Sequence, residues 1–365
     1  MPLSAVDCIQ PAIQHTKQQL FTRFRLGQWT RLALVGVLAA ELHVGGCNFG
    51  NIGQVIQEHR NRGKELVGIP QFPQVDPSRI AQFAGLIGVV LLLGAVIFFV
   101  FLYINSIFRF ILFDSVVKRE CSIGEGWQHW SRAGGRFFLW QLVFQIALGI
   151  FFAVLIGIPV ALAMGAGWMR SPDQHKAGMI GGLLLLVGVI LIFALVAAIV
   201  QILAKDFLVP IMALEGLDFA DGWSRLLALM RPEPGRYGAY VVLKIVLAIA
   251  AAIVFSIAAI IPVLFVVLPC TMIVLAAKTA GLTWTVATVS LAVIGGAIAV
   301  LVLIYLVALV SVPGTVFFPA YALYFFAGRY PNLGALLYPA PAPTAPAAPE
   351  IPPPPLEPPS PEPIG

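Results

Sequence analysis

Five stretches of this 365-residue chain stay apolar for longer than a bilayer core is thick, and nothing else constrains its fold so tightly. They cover residues 80–107, 137–166, 177–204, 237–277 and 282–312. About 18–20 apolar residues are enough for a helix to cross the hydrocarbon. Gly and β-branched residues recur inside the blocks, as lipid-embedded helices tolerate. The rest of the chain cannot offset them: 11% of residues are charged, against about 25% in a soluble domain. The chain therefore reads as all-α, a polytopic transmembrane helical bundle.

A sixth, weaker span is expected at 30–47. Arg23, Arg25 and Arg31 precede or open it, Glu41 and His43 sit towards its far end, and Gly45-Gly46-Cys47-Asn48 closes it. Pro262 and Pro269 interrupt the block at 237–277, which we read as one span with a bent or re-entrant extension. The expected spans are thus 30–47, 80–107, 137–166, 177–204, 237–268 and 283–312, within a transmembrane domain over 1–330. With six spans, one side holds fourteen of the twenty-two Lys and Arg residues and the other holds seven. Lys244 lies inside a span and is expected to snorkel back. Positively charged loops stay in the cytoplasm, so both termini are expected there, in a multi-pass cytoplasmic membrane protein. The net charge of +5 has the same origin and gives no nucleic-acid signal.

Trp127 and Trp223 stand 96 residues apart in similar settings, and Arg136 and Arg236 stand 100 apart, each opening a long apolar block. Phe110-Ile-Leu-Phe-Asp-Ser-Val-Val leads to Gly124-Glu-Gly-Trp127, and Phe207-Leu-Val-Pro-Ile-Met-Ala-Leu leads to Asp221-Gly-Trp223. A looser copy, Phe21 to Trp29, precedes Arg31. Such fixed-period similarity suggests three tandem helix pairs, each entered through an interfacial amphipathic segment. In 221–230, Trp223, Leu226, Leu227 and Met230 share one helical face, and 122–132 reads likewise with Ile123, Trp127 and Trp130. Helices of this kind lie in the headgroup plane, apolar side down. Arg132, Arg136, Arg225, Arg231 and Arg236, with Trp127 and Trp223, then form a candidate lipid-headgroup interface.

At these same segments the chain resembles a known family. The matching stretches are Ala5-Val6 to Gly36, including Phe24-Arg-Leu-Gly-Gln-Trp29, then Phe108-Arg-Phe-Ile-Leu-Phe113 to Trp140. Two more are Asp206-Phe-Leu-Val-Pro-Ile-Met212 to Leu243, and Val312-Pro-Gly-Thr-Val-Phe-Phe-Pro-Ala-Tyr-Ala-Leu323. Together they reach across about 5–330 and are similar to six-span bacterial and archaeal membrane proteins of unknown function. Those proteins are related to the membrane domain of glycerophosphodiester phosphodiesterases. The resemblance implies a six-helix membrane fold and brings no catalytic residues.

Motifs for chemistry are sparse. A phosphodiesterase of that kind needs a soluble barrel with acidic metal ligands, and no extramembrane stretch here is long enough. His15, His43, His59, His129 and His175 are scattered, without the spacing of a metalloprotease helix. Cys8, Cys47, Cys121 and Cys270 form no metal or disulfide pattern. Val44-Gly-Gly-Cys47 faintly resembles a lipoprotein box, but Glu41 and His43 interrupt the apolar run before it. No cofactor, metal or enzymatic site is expected.

Intramembrane polar residues are the usual functional candidates in such a chain. Gln141 and Gln145 lie one turn apart on one face, and Gln201 lies in the next span. They read first as interhelical hydrogen-bond partners. Glu41 reads as loop-edge, and Lys205-Asp206 as a helix end at the interface.

Thirteen of the last twenty-seven residues are proline, so 339–365 reads as an extended cytoplasmic spacer. It could also serve as a ligand for a proline-recognising protein. Function is expected at the inner membrane surface, in binding or organising lipid or partner proteins. Solute or lipid transport is the alternative.

Overall fold

The computed structural model describes residues 4–22, 24–39, 41, 77–168, 175–281 and 285–338. Among these, every regular element is helical. In chain order they are α1 (Ile9–Phe21), α2 (Leu26–Leu38), α3 (Pro77–Lys118), α4 (Ile123–Gly165) and α5 (Lys176–Leu203). A π-helical turn (Ala204–Leu208) carries α5 into α6 (Val209–Glu215). Then come α7 (Phe219–Met230), α8 (Pro234–Thr279), α9 (Val286–Ala327) and α10 (Pro331–Leu337).

Among the described residues, five helices are long and apolar enough to cross a membrane: Gly88–Lys118, Ile123–Gly165, Ala177–Glu215, Pro234–Thr279 and Val286–Ala327. At 1.5 Å per residue, the 46 residues of α8 reach about 70 Å. That is more than twice the ~30 Å hydrocarbon core. Each long helix therefore has a lipid-facing part and a part that packs against protein. On α3, the large side chains of 89–101 are exposed, whereas Ile107 to Val116 are mostly buried. On α9, Leu301 is exposed, whereas Val316, Tyr321 and Phe325 are fully enclosed. The hydrophobic core of the protein thus lies beside the lipid-facing belt and not within it.

That packed end joins α1, α2, α6, α7 and α10 to one end of each long helix. Its centre is aromatic, with Tyr240 4.6 Å from Phe325 and 5.0 Å from Phe207 between ring centroids. Such pairs add about 0.5–1.5 kcal/mol each beyond area burial. The helices approach closely where the sequence supplies glycine. A Cβ on Gly134 of α4 would fall 2.9 Å from the Cα of Ile107, and one on Gly36 of α2 would fall 2.6 Å from Cγ2 of Thr315. Both ends of the described chain belong here. His15 of α1 sits 3.2 Å from the Tyr324 hydroxyl of α9 and donates from Nε2 to the Val116 carbonyl at 3.0 Å.

Several sequence expectations are corrected. The spans expected to end at 107 and to begin at 137 are parts of longer helices, because α3 runs on to Lys118 and α4 begins at Ile123. The segment with Trp127 and Trp130 is therefore the first turns of α4, not a separate helix in the headgroup plane. No proline interrupts it, and Gly126 and Gly134 are packed against Ile111 and Ile107. Helix α7 does stand alone, but its buried residues, Gly222 and Leu226, face the protein. Lys205-Asp206 does not end a helix. The stop comes at Gly216, whose φ of +65° suits a left-handed cap.

Pro262 and Pro269 lie inside one continuous α8, so there is no re-entrant extension. Membrane helices tolerate the lost backbone bonds because neighbouring groups satisfy them again. Finally, α2 covers 13 residues and buries Leu32, Ala33, Val35 and Gly36 against the core. It is a helix of the packed end, too short at about 20 Å to cross. The outer half of the expected first span, with His43 and Cys47, lies outside the described residues, as does the proline-rich tail.

Candidate functional site

Where the lipid-facing belt meets the packed end, five charged residues converge. Glu41 follows α2, Arg109 belongs to α3, Lys205 and Asp206 to the π turn, and Lys244 to α8; together they line a cavity of about 40 Å³. Arg109 donates from Nη1 to Glu41 at 3.0 Å and from Nε to Asn105 Oδ1 at 3.2 Å. Asp206 accepts from Lys244 at 2.7 Å and from the Tyr240 hydroxyl at 2.8 Å. The Arg109 and Asp206 side chains are only 6% and 8% exposed. Charges this dry persist only when paired and hydrogen-bonded, and both pairs meet that condition.

The π turn explains how neighbouring residues serve different partners. A π turn inserts a residue into the helical register, often at functional sites. Asp206 faces Tyr240 and Lys244 of α8. Lys205 also borders a second, larger cavity, which Asp206 does not line.

This second cavity measures about 610 Å³, a typical size for a small-molecule site. Three helices supply one stripe each: Phe98, Phe101, Leu102, Asn105 and Arg109 from α3; Gln141, Phe144, Gln145, Leu148 and Phe152 from α4; and Ala194, Ala197, Ala198, Gln201 and Lys205 from α5 and its π turn; Val37 and Leu38 of α2 close the wall beside Asn105. The spacings of three and four place each set on a single helical face. Each stripe spans about 11 residues, or about 16 Å. All three are polar towards the packed end and apolar towards the belt. Small Ala residues on α5 leave the space that Phe residues on α3 and α4 border.

The sequence candidates divide between this site and the surface. Gln141, Gln145 and Gln201 all line the large cavity, and the amide oxygen of Gln141 lies 3.0 Å from Ser106 Oγ on α3. Gln141 thus bridges helices as expected. Three of the five candidate interface arginines are paired with acids of the protein. Arg136 donates to Asp218 at 2.8 Å and to the Gly216 carbonyl at 3.0 Å. Arg236 pairs with Glu233 at 3.1 Å, and Arg225 lies 3.8 Å from Glu215. Arg132 and Arg231 are exposed. Trp127 packs edge-on against Tyr103 and Phe108, and Trp223 stacks on Phe219.

Sequence reasoning missed Arg109 as a site residue and misjudged the surroundings of four others. Glu41 does follow a helix end but is paired with Arg109 there, Lys205-Asp206 is not a helix end, and Lys244 is held by Asp206. The available signal was the two acids. Basic residues at span ends are ordinary anchors, but Glu41 and Asp206 at the edge of apolar blocks needed partners. Outside the spans, burial pushes the Cys8 and Cys121 thiols up to about 11 and holds the His15 imidazole below its usual range.

The model of one family, described as a family of unknown function (DUF7544), matches residues 3–336. No curated protein and no solved structure matches the chain.

Proposed function

For a chain that belongs to this family of unknown function and whose apolar helices mark it as a membrane protein, we propose a non-enzymatic role: holding a membrane lipid between α3, α4 and α5. The observation that carries this reading is the matched polarity of the three stripes lining the 610 Å³ cavity. An amphiphile has the same gradient, with a polar head and an apolar tail along about the same length. The polar ends of the stripes lie where the lipid-facing belt stops, which is headgroup depth.

Transport is less well supported. On α4 the lining turns apolar after Gln145, with Leu148 and Phe152 next, which suits a tail better than the path of a polar solute. The reading also takes six spans. Both described ends lie at the packed end, so an even number of crossings, six and not five, suits the reading. A repeated design is supported by Gly126 against Ile111 and Gly222 against Leu208, each just before a Trp. The excess of Lys and Arg supports a cytoplasmic packed end, with exposed Arg132 and Arg231 at the lipid surface. The likeness to phosphodiesterase membrane domains suits a membrane part without a catalytic barrel, and the tail remains available to a protein partner.

The test is native mass spectrometry of protein purified in mild detergent, with Ala197→Phe as the comparison. Phe fills the cavity from α5 without touching its polar residues. About one lipid per chain is expected on the wild type and a several-fold loss on the variant at unchanged melting temperature. A wild type without lipid, or equal occupancy in the variant, would refute the reading.

A further inference from the structure

Resting on that lipid-binding reading, we infer that the site selects an anionic headgroup and that Lys205 is the residue that recognises it. Arg109 is paired with Glu41 and Lys244 with Asp206. Among the described residues, the third cation, Lys205, has no ion pair and no side-chain hydrogen bond. It is held one helical turn beyond Gln201, and its side chain borders both cavities.

Among the described residues, the wall of the larger cavity has two cationic residues and no carboxylate. Both acids of the cluster lie on the small cavity, where they are engaged by Arg109, Lys244 and Tyr240. An incoming anion therefore meets Lys205 without displacing an internal partner. The Gln145 and Gln201 amides border the same cavity and add hydrogen-bond donors that tolerate either a phosphate or a carboxylate oxygen. A zwitterionic headgroup would bring its own cation towards Arg109 and Lys205, a repulsive juxtaposition that discriminates against it.

The apolar ends of the stripes separate a lipid from a free anion. Phe98, Phe101, Leu148 and Phe152 offer nothing to inorganic phosphate but would enclose the start of an acyl chain. The chemistry recognised at Lys205 is thus a singly charged oxyanion, and the tail supplies the rest of the affinity.

The experiment compares binding of phosphatidylglycerol and phosphatidylcholine with identical chains to full-length protein in mixed micelles. Wild type, Lys205→Gln and Lys205→Arg are measured side by side, with inorganic phosphate as a competitor. Repulsion between the choline cation and the Arg109 and Lys205 side chains predicts about tenfold preference for phosphatidylglycerol in the wild type. The preference should fall to near unity in Lys205→Gln and be retained in Lys205→Arg, at similar melting temperatures. Equal binding of the two lipids by the wild type overturns the charge assignment and leaves the lipid site standing. A preference that survives in Lys205→Gln overturns the role of Lys205. Displacement of lipid by millimolar phosphate overturns the assignment to a lipid in favour of a soluble anion. Binding of neither lipid removes the lipid reading itself.

Discussion

Replacing Asp206 with Asn tests whether the charged cluster is as dry and as tightly paired as its geometry implies. The Asp206 carboxylate lies 2.7 Å from the Lys244 ammonium. At an effective dielectric of ~20, that separation corresponds to about 6 kcal/mol of gross attraction. Desolvation of the two ions consumes most of it, so the intact pair adds little net stability. Breaking it is another matter. The neutral amide of the Asp206→Asn variant would leave the Lys244 ammonium, on a side chain 14% exposed, without a counter-charge. It would also weaken the Tyr240 hydrogen bond. Removal of one partner from such a pair costs about 3–5 kcal/mol.

Asp206→Asn should therefore destabilise by that amount, and Lys244→Met by a similar amount. The double variant should lie within about 1–2 kcal/mol of wild type, because it leaves no buried charge unpaired. The coupling is then at least about 4 kcal/mol, above the ~0.5–3 kcal/mol usual for residues in one network. Unfolding titrations in mixed micelles, followed by tryptophan fluorescence, measure it. Additive single variants, each costing under about 1 kcal/mol, would show that water reaches the pair and would remove the basis for treating Lys205 as the unpaired cation.

Three further outcomes are expected. Gly134→Ala should destabilise by about 1–3 kcal/mol, because its Cβ meets Ile107. Gly135→Ala, with nothing within 4 Å, should stabilise by up to about 1 kcal/mol; equal effects in thermal melts would contradict the α3–α4 crossing. His15 is held below its usual range by burial, so the unfolded chain binds the proton more readily. Stability should be level above pH ~6.5 and fall as pH drops below it, a slope that His15→Gln flattens in melts recorded from about pH 7.5 to 5. Cys8 and Cys121, with thiols near 11, should resist maleimide at about pH 7 in a Cys47→Ser, Cys270→Ser background until SDS unfolds the protein. Rapid labelling before unfolding would place them at the surface.

The five long spans were legible because a run of lipid-facing residues is a local property, written in consecutive positions. The packed end was less so, since a helix that continues past the membrane changes its burial without changing its period. Nothing in 108–118 of α3 distinguishes an interfacial loop from a further buried stretch, except that Phe110, Phe113 and Val116 keep helical spacing. Gln141 was read correctly because its bonding partner, Ser106, lies on the adjacent helix and any polar side chain there needs one. The ionic cluster was misread because its members come from positions 41, 109, 205, 206 and 244. Each alone sits in or at the edge of an apolar block, with its partner far away in sequence. Only tertiary packing brings them to one cavity.

The same packing bears on why a binding site should form at this depth. Almost none of the residues in the most apolar windows of the five spans is covered by protein. Stability therefore rests on the packed end, where the aromatic centre and the close glycine contacts lie. The spans can then diverge from one another without the core being lost, and the gaps between them belong to lipid by default. At the level where they converge, Arg109, Lys244, Glu41 and Asp206 neutralise each other and fix α2, α3, the π turn and α8. Lys205, set on that rigid base at the polar end of a gap between the spans, is placed to choose among the amphiphiles proposed to enter it.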